Sequence, residues 1–294
     1  MRILTYTVTP EEDGRMVKGI LRGSLQLSYT LLKSLKWREN AILLNGQSVH
    51  VNAIVHAGDV VSVALSERTP REDLYCANAA KPDIVYEDDD LLVLNKPAGV
   101  AMHPKSGDAS APSLAAILTS YLGEGSVPHF VSRLDKGTSG LLIAAKSGYV
   151  HDRLRRALHS SDLRREYRAV AVGRVEPPCG IIDAPIGRAE GSIIRRCVRA
   201  DGLPSLTEYE VLQVSGRFTL LRLRPQTGRT HQLRVHMAYL GHPLAGDWLY
   251  GTEDKTLIAR PALHSYELWF TQPVTGQKLH FTAPIPQDMQ RLME

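Results

Sequence analysis

The twelve residues Val131–Leu142 read VSRLDKGTSGLL, and they run directly into the apolar segment Leu141–Ala145. The Gly, Thr and Ser residues of the first segment predict a tight turn, and the apolar segment predicts a buried strand. Asp135 lies in the turn between Arg133 and Lys136, and neighbouring cations favour the charged form of a carboxyl group. An ionised carboxylate held on a turn can act as a nucleophile. The alternative is a structural aspartate that hydrogen-bonds its own turn.

The composition is that of an ordinary globular protein, with 294 residues of which 43% are hydrophobic and 22% charged. This length suits one large domain or two unequal ones. The apolar segments are too short to span a bilayer, and the N-terminus becomes acidic where a signal peptide would be apolar. We therefore expect a cytoplasmic protein without membrane contact. The three cysteines are scattered and odd in number, which indicates reduced thiols rather than disulfides or a metal site.

Positive charge is concentrated in one part of the chain. Between Val150 and His236 there are sixteen arginines, nine acidic residues and no lysine. Arginine grips phosphate through its planar guanidinium group and stacks on bases. This excess predicts a polyanionic partner, most simply a nucleic acid. A solvated surface crossed by salt bridges is the alternative.

The first 70 residues predict a small separate module. In residues 1–10 apolar side chains alternate with others, as they do in a strand. Ser28 is placed to cap a helix over Tyr29–Trp37. Asn45-Gly46 predicts a tight turn between two short strands, and Val60–Leu65 predicts a further strand. The polar residues 71–82 are interpreted as a linker.

Residues 83–294 predict one larger domain of strands and helices that do not alternate regularly. We therefore expect an α+β fold, with a mixed, largely antiparallel sheet flanked by helices, rather than a doubly wound sheet. The predicted strands are Ile84–Glu87, Leu91–Lys96, Leu141–Lys146, Glu166–Val172, Ser205–Val214 and Arg217–Arg224, and the predicted helices are Ser113–Tyr121, Tyr149–His159 and Thr230–Leu240.

A second polar cluster follows the turn at Thr227-Gly228. It brings Arg229, His231 and Arg234 to the start of the predicted helix, where they can meet an anion or the carboxylate. His231 and His236 are five residues apart and no His-Glu-x-x-His pattern is present, so we expect no zinc site. Tyr167 is interpreted either as an ordinary strand tyrosine or as an aromatic platform for a flipped base.

Four blocks in order resemble the RluA-type RNA pseudouridine synthases. They are Leu94–Val100 with His103-Pro104, Arg133–Gly140, the strand from Tyr167 to Val172, and Thr227–Arg234 continuing through Gly241-His-Pro and Gly246-Asp247; Ala262-Leu263-His264 fits a late block. The resemblance covers about residues 83–285. The family usually has histidine where this chain has Ser132, a difference that touches loop packing or rate rather than the catalytic aspartate.

The resemblance implies a mechanism and a set of roles. Asp135 would attack uridine at carbon 6 or at carbon 1′, Tyr167 would stack on the uracil, and Arg234 would pair with the aspartate. Arg133 would fill the space of the flipped base. The residues implied to contact RNA are Arg133, Thr138, Arg165, Arg229 and His231, with the arginine-rich segment Tyr149–Arg168 on the phosphates. No cofactor and no metal are expected, and the protein is expected to be a monomer.

The N-terminal module resembles the small RNA-binding domain of ribosomal protein S-four. Leu44-Asn-Gly and Ala57–Val61 carry this resemblance, whereas Gly14–Gln26 departs from the usual basic pattern. Lys36 and Arg38 are its expected RNA contacts. The favoured substrate is large-subunit ribosomal RNA, and transfer RNA stays open.

Two other functions remain as alternatives. A non-catalytic RNA-binding or ribosome-assembly protein would explain the module and the arginines, but not the aspartate with its partners. A nucleoside or glycoside hydrolase would need a second carboxylate as acid and base. The blocks offer only Asp247 for this, in a turn that is interpreted as structural.

Overall fold

A computed structural model describes residues 2–65, 81–104, 113–123, 127–160 and 162–294. In these residues the chain forms a four-stranded sheet, a ten-stranded sheet and a separate two-stranded hairpin. The predicted linker over residues 71–82 lies outside the described residues, apart from its last two positions. Among the described helices, none has the length and apolar character needed to cross a membrane.

The N-terminal sheet is antiparallel, in the order β1-β4-β2-β3, and carries two short helices. Its elements are β1 (Arg2–Thr7), α1 (Val17–Arg22), α2 (Tyr29–Leu35), β2 (Ile42–Leu44), β3 (Gln47–Ser48) and β4 (Val60–Leu65). Ser28 caps α2 by accepting a hydrogen bond from the Leu31 amide at 3.2 Å. Asn45 and Gly46 both have positive φ, 50° and 82°, as a tight hairpin turn requires.

The large sheet has the order β10-β13-β14-β9-β15-β8-β6-β5, with β7 beside β8 and β16 beside β15. Its pairs are antiparallel, except that β8 and β15 are parallel. The expected mixed, largely antiparallel sheet is confirmed. Its strands are β5 (Ile84–Glu87), β6 (Leu91–Lys96), β7 (His129–Phe130), β8 (Ser139–Ala145), β9 (Leu163–Val172), β10 (Cys179–Asp183), β13 (Leu206–Ser215), β14 (Phe218–Pro225), β15 (Leu263–Thr271) and β16 (Lys278–Thr282).

Helices cover this sheet, and a small hairpin stands apart from it. The helices are α3 (Leu114–Leu122), α4 (Gly148–Ala157), α5 (Gln232–Tyr239) and α6 (Gln287–Gln290), and the hairpin pairs β11 (Ile186–Arg188) with β12 (Arg196–Val198). Ser113 and Ser147 cap α3 and α4 with their side chains.

Strand β8 is buried on both faces, which explains its unbroken apolar sequence. Leu141 and Ile143 belong to a hydrophobic cluster that continues into the N-terminal sheet. Leu142 and Ala144 belong to a second cluster, which includes Tyr167 and side chains of α3 and α5. The apolar run predicted as a buried strand therefore forms the centre of the fold.

Two details of the predicted strands are wrong. Tyr167 does not begin a strand, because β9 starts at Leu163 and the basic residues after it pair with β15. On β14 the sequence alternates Phe218 and Leu220 with polar or basic residues, which predicts a half-exposed strand, but Leu221 and Leu223 are fully buried and Leu220 is half-buried. Both faces of this strand are covered near its start, so a simple alternation does not describe it.

His264 on β15 predicts an acid-dependent loss of stability. Its Nδ1 lies 2.9 Å from Ser139 Oγ and its Nε2 lies 3.3 Å from Ala283 O, so both nitrogens of the buried ring have partners within the protein. Burial lowers the pKa of His264 to about 4. The unfolded chain takes up this proton near pH 6.5 and the folded chain does not, so the free energy of unfolding falls as pH drops from about 6.5 to 4.

We expect this one group to contribute ~3 kcal/mol of that pH dependence. Urea unfolding gives the free energy of unfolding of wild type and of His264→Gln at pH 7 and at pH 4.5. The contribution of His264 is the difference between the two proteins in how far this free energy falls from pH 7 to pH 4.5. Equal pH dependence in both proteins would show that His264 does not titrate in this way.

Candidate active site

The loop that carries Asp135 is fixed by its own turn and by a close approach of two strands. The Asp135 carbonyl accepts a hydrogen bond from the Thr138 amide at 3.0 Å. Gly140 has a φ of 105°, and a Cβ at this position would lie 2.2 Å from the Ser265 carbonyl oxygen. Only glycine allows β8 and β15 to meet here, and this explains the glycine that ends the turn. The carboxylate is thus held at the mouth of β8, with 30% of its side chain exposed.

Arg234 on α5 faces the Asp135 carboxylate from a fixed position. Its Nη1 donates to Asp135 Oδ2 at 3.3 Å, whereas its Nε and Nη2 each donate to a different oxygen of Asp247 at 2.7 Å. Asp247 is fully buried and also accepts the amides of Leu249 and Tyr250. Asp247 therefore holds the guanidinium group in place through a bidentate ion pair. The expected pairing of Arg234 with Asp135 is present, but it is the longer of its two carboxylate contacts.

His231 begins α5 in the left-handed conformation, with a φ of 58°. Its Nδ1 lies 2.8 Å from Tyr250 Oη, and its Nε2 lies 3.9 Å from Asp135 Oδ1. Burial lowers the pKa of His231, so the ring is neutral near pH 7. Because Tyr250 Oη already accepts the Arg196 amide at 2.9 Å, its proton is free to go to Nδ1 of His231. The Tyr250 hydroxyl group, which can accept and donate at the same time, therefore joins the Arg196 amide to the His231 ring.

Lys96, at the end of β6, contacts the loop that carries Asp135. Its ammonium group donates to the carbonyls of Pro97 at 2.7 Å, Val100 at 2.9 Å and Lys136 at 3.3 Å. The side chain is 1% exposed, and burial lowers its pKa to about 8. Lys96 thus connects the residues that follow β6 to the turn that holds Asp135.

A cavity of about 990 Å³ opens over Asp135. Strand β9 places Arg165 and Tyr167 on its wall, because alternate residues share one face. Glu166 and Arg168 lie on the opposite face, where they pair with each other. The cations on its wall are Arg133, Lys136, Arg155, Arg165, Arg196, Arg229 and Arg234, and among the described lining residues Asp135 is the only acid.

The structure brings most of the predicted site residues to this cavity. Asp135 is joined on its wall by Arg133, Thr138, Arg165, Tyr167, Arg229, His231 and Arg234. Lys36 and Arg38 do not line it, because they follow α2 in the N-terminal part. Within the described ranges, no three His, Cys, Asp or Glu side chains converge as a metal site would require.

The predicted phosphate-binding segment Tyr149–Arg168 is only partly directed at the cavity. Arg155 and Arg165 line it. Arg156 instead pairs with Asp152, and Arg168 pairs with Glu166 and lies over the Tyr266 ring at 4.0 Å. Helical and strand periodicity separate these arginines onto different faces, which a count of charges along the sequence does not show.

Three contributors to the site were missed from the sequence: Lys96, Tyr250 and the ion-pairing role of Asp247. Asp247 lies in a Gly-Asp turn, and its only signal was the glycine before it. Gly246 has a φ of 70°, and a Cβ there would lie 2.4 Å from the Arg260 carbonyl oxygen. Lys96 carried a signal of its own, since a lysine that ends an apolar strand is seldom buried without a purpose.

Comparison with known proteins assigns a family. A family model described as RNA pseudouridylate synthase matches residues 90–239. The uncharacterized RNA pseudouridine synthase YjbO of Bacillus subtilis is 39% identical over 274 residues, which cover 92% of this chain and 96% of the relative. Ribosomal large subunit pseudouridine synthase D of Vibrio cholerae is 39% identical over 304 residues, covering 97% and 92%.

A solved structure agrees with these relatives. Human RNA Pseudouridylate Synthase Domain Containing 1 is 28% identical, with a TM-score of 0.57, and the match covers 69% of this chain and 83% of that one. The family model does not reach the N-terminal part, so its resemblance to the ribosomal protein S-four domain stays a prediction. The RluA-type resemblance of the large domain is confirmed: this chain belongs to the RNA pseudouridylate synthase family and is an RNA pseudouridine synthase.

Proposed function

We propose that Asp135 is the nucleophile with which this enzyme isomerises a flipped uridine of large-subunit ribosomal RNA. The observation that carries the proposal is the Asp135 carboxylate, 3.3 Å from a buried arginine, in a cavity whose other charged residues among the described lining are arginines and a lysine. A retaining glycosidase needs two carboxylates about 5 Å apart. Asp247 cannot serve as the second, because both of its oxygens bind Arg234 and it is fully buried.

The bond changes follow from the product. Asp135 attacks carbon 1′ of the ribose or carbon 6 of the uracil, and the bond between N1 and carbon 1′ breaks. The uracil turns within the cavity and carbon 5 bonds to carbon 1′. Carbon 5 then loses its hydrogen as a proton, and N1, which no longer bonds to the sugar, takes up a proton, so the product is an isomer of the substrate. The aspartate is released unchanged, so the chemistry needs no co-reactant. Enclosure keeps water from the opened intermediate.

Arg234 and His231 hold the Asp135 carboxylate in position. The Nη1 of Arg234 donates to Oδ2 at 3.3 Å, and the Nε2 of His231 lies 3.9 Å from Oδ1. Arg133 is exposed at the mouth of the cavity, where it can enter the space that the flipped base leaves. Arg165 and Arg229 lie where they can hold the RNA backbone. Thr138 is almost fully buried, so its part is to shape the turn.

Tyr167 supports the uracil through its ring, and paired variants test this. Its side chain is 6% exposed and lines the cavity together with Asp135. Tyr167→Phe keeps the ring, so we expect less than about a threefold loss of kcat, whereas Tyr167→Ala should lose about 5- to 150-fold because base stacking is worth ~1–3 kcal/mol. Single-turnover rates on one RNA measure both. Equal losses in the two variants would instead assign a role to the hydroxyl group.

The N-terminal part is proposed to bind RNA through residues that follow α2. Lys36 is exposed there, next to Trp37, which is 86% exposed. Lys36→Gln combined with Arg38→Gln should weaken RNA binding several-fold, with kcat unchanged. The slope of log Kd against log salt should fall by an amount that corresponds to up to about two phosphate contacts. Titrations at several salt concentrations measure this, with Lys278→Gln on β16 as the matched control. Identical salt slopes in all three proteins would rule out this role.

The substrate proposal rests on the Vibrio relative named as a large-subunit enzyme. Mapping of pseudouridines in ribosomal and transfer RNA, with and without the gene, tests it. We expect one or more large-subunit positions to lose pseudouridine in its absence and to regain it on complementation. Loss confined to transfer RNA would redirect the substrate assignment, and no change in any RNA would contradict the proposed function.

A further inference from the structure

A second cavity of about 460 Å³ adjoins the active-site cavity. The two share Arg196 and Arg229 on their walls. The second cavity lies against the small hairpin of β11 and β12, in which Arg188 and Arg196 are opposite each other in the backbone register. Arg188 lines it as well, so three arginines surround the space. Its one acid among the described lining residues, Asp201, already binds Arg199 through both carboxylate oxygens.

Arg196 has an unmet hydrogen-bonding requirement. Its Nη1 is buried and has no hydrogen-bond partner among the described residues. A buried, charged donor without an acceptor is costly, and such donors are normally satisfied by a partner. Nearby arginines do have acceptors: Arg199 binds Asp201, and Arg229 Nε donates to the Pro204 carbonyl at 3.0 Å. Arg196 lines both cavities, so an anion bound there would bring acceptor oxygens to its guanidinium group.

The backbone of Arg196 is also linked to the Asp135 carboxylate, through Tyr250 and His231. Its amide donates to Tyr250 Oη at 2.9 Å, Tyr250 contacts His231 at 2.8 Å, and His231 faces Asp135 at 3.9 Å. Arg196 therefore lies at the edge of the active-site cavity, on the wall that this cavity shares with the second one. Because the two cavities share lining residues, the second cavity is within reach of a phosphate next to a uridine bound in the first.

We propose that Arg196, with Arg188 and Arg229, binds the RNA phosphodiester adjacent to the flipped uridine, so that the second cavity is a phosphate subsite. The inference rests on the proposed function, since it takes the RNA strand at Asp135 as its starting point. Guanidinium groups hold phosphate through paired, charge-assisted hydrogen bonds. The subsite fixes the register of the strand and adds nothing to the bond-forming steps.

A charge-deletion cycle tests the subsite. The probe is a short synthetic RNA stem-loop around the mapped uridine, made as a set in which one phosphate at a time on either side is an uncharged methylphosphonate. Wild type and Arg196→Gln are compared by Kd and by single-turnover rate. For one adjacent phosphate, we expect neutralisation to weaken wild-type binding about tenfold or more and to have little effect in Arg196→Gln, because the two changes remove the same contact.

Arg195→Gln is the matched control, since its side chain is exposed and lines neither cavity. It should show the full methylphosphonate effect of wild type. Arg196→Gln should also lower the slope of log Kd against log salt by about one phosphate contact. Additive effects at every adjacent phosphate, in an enzyme that still forms pseudouridine, would overturn the subsite. A wild-type enzyme that forms no pseudouridine would contradict the proposed function instead.

Discussion

Asp135→Asn is expected to abolish pseudouridine formation, with a loss of at least about 10⁴-fold in kcat, as removal of a nucleophile does in other enzymes. The amide keeps the shape of the carboxylate but cannot form the covalent bond. The loop should hold, because its turn uses the Asp135 carbonyl rather than its side chain. RNA binding should therefore stay within about threefold of wild type, since the arginines of the cavity remain.

Single-turnover rates and Kd values on the same RNA separate these two effects. Asp162→Asn, an exposed acid outside the cavity, is the matched control and should behave as wild type. A variant at Asp135 that retains a tenth of the wild-type rate would remove this residue from the nucleophilic role.

Asp247→Asn is expected to cost both activity and stability, although Asp247 does not face the cavity. It would leave Arg234, whose side chain is 6% exposed, without its bidentate partner. Removing one partner of a buried ion pair typically costs ~3–5 kcal/mol. The freed guanidinium group can also shift relative to Asp135, so we expect kcat to fall about 100-fold or more, with a smaller change in Kd.

Urea unfolding and single-turnover rates measure the two losses. Asp89→Asn is the control, because the Asp89 side chain is 90% exposed and its contact with Arg2 is long, at 3.7 Å. Stability unchanged by Asp247→Asn would show that Arg234 is held by other contacts, and unchanged kcat would show that its position is unimportant.

Much of this fold could be predicted from local patterns. The apolar run of β8 and the tight turn at Asn45-Gly46 each have a sequence signal that depends only on neighbouring residues. Ser28 likewise marked the start of α2, which ends at Leu35 rather than Trp37. The blocks around Asp135, Tyr167 and Arg234 were correctly expected to meet at one site.

The remaining features depend on contacts between distant segments. Asp247 binds Arg234 thirteen residues away, and Lys96 reaches the Lys136 carbonyl forty residues away. Neither contact follows from a regular spacing of residues along the chain, so the sequence alone does not predict it. Strand β15 also lacked a prediction, although it joins β8 and β9 at the centre of the sheet. Its pairing is parallel with β8 and antiparallel with β9, which only the tertiary structure specifies.

The most direct test of Asp135 as the isomerising nucleophile uses RNA with tritium at carbon 5 of its uridines. Carbon 5 must lose its hydrogen when it bonds to the ribose, so the wild-type enzyme should release tritium in step with pseudouridine and without free uracil. Asp135→Asn should release no tritium above background. Free uracil from the wild type, or tritium release by Asp135→Asn at a rate near that of wild type, would contradict the mechanism.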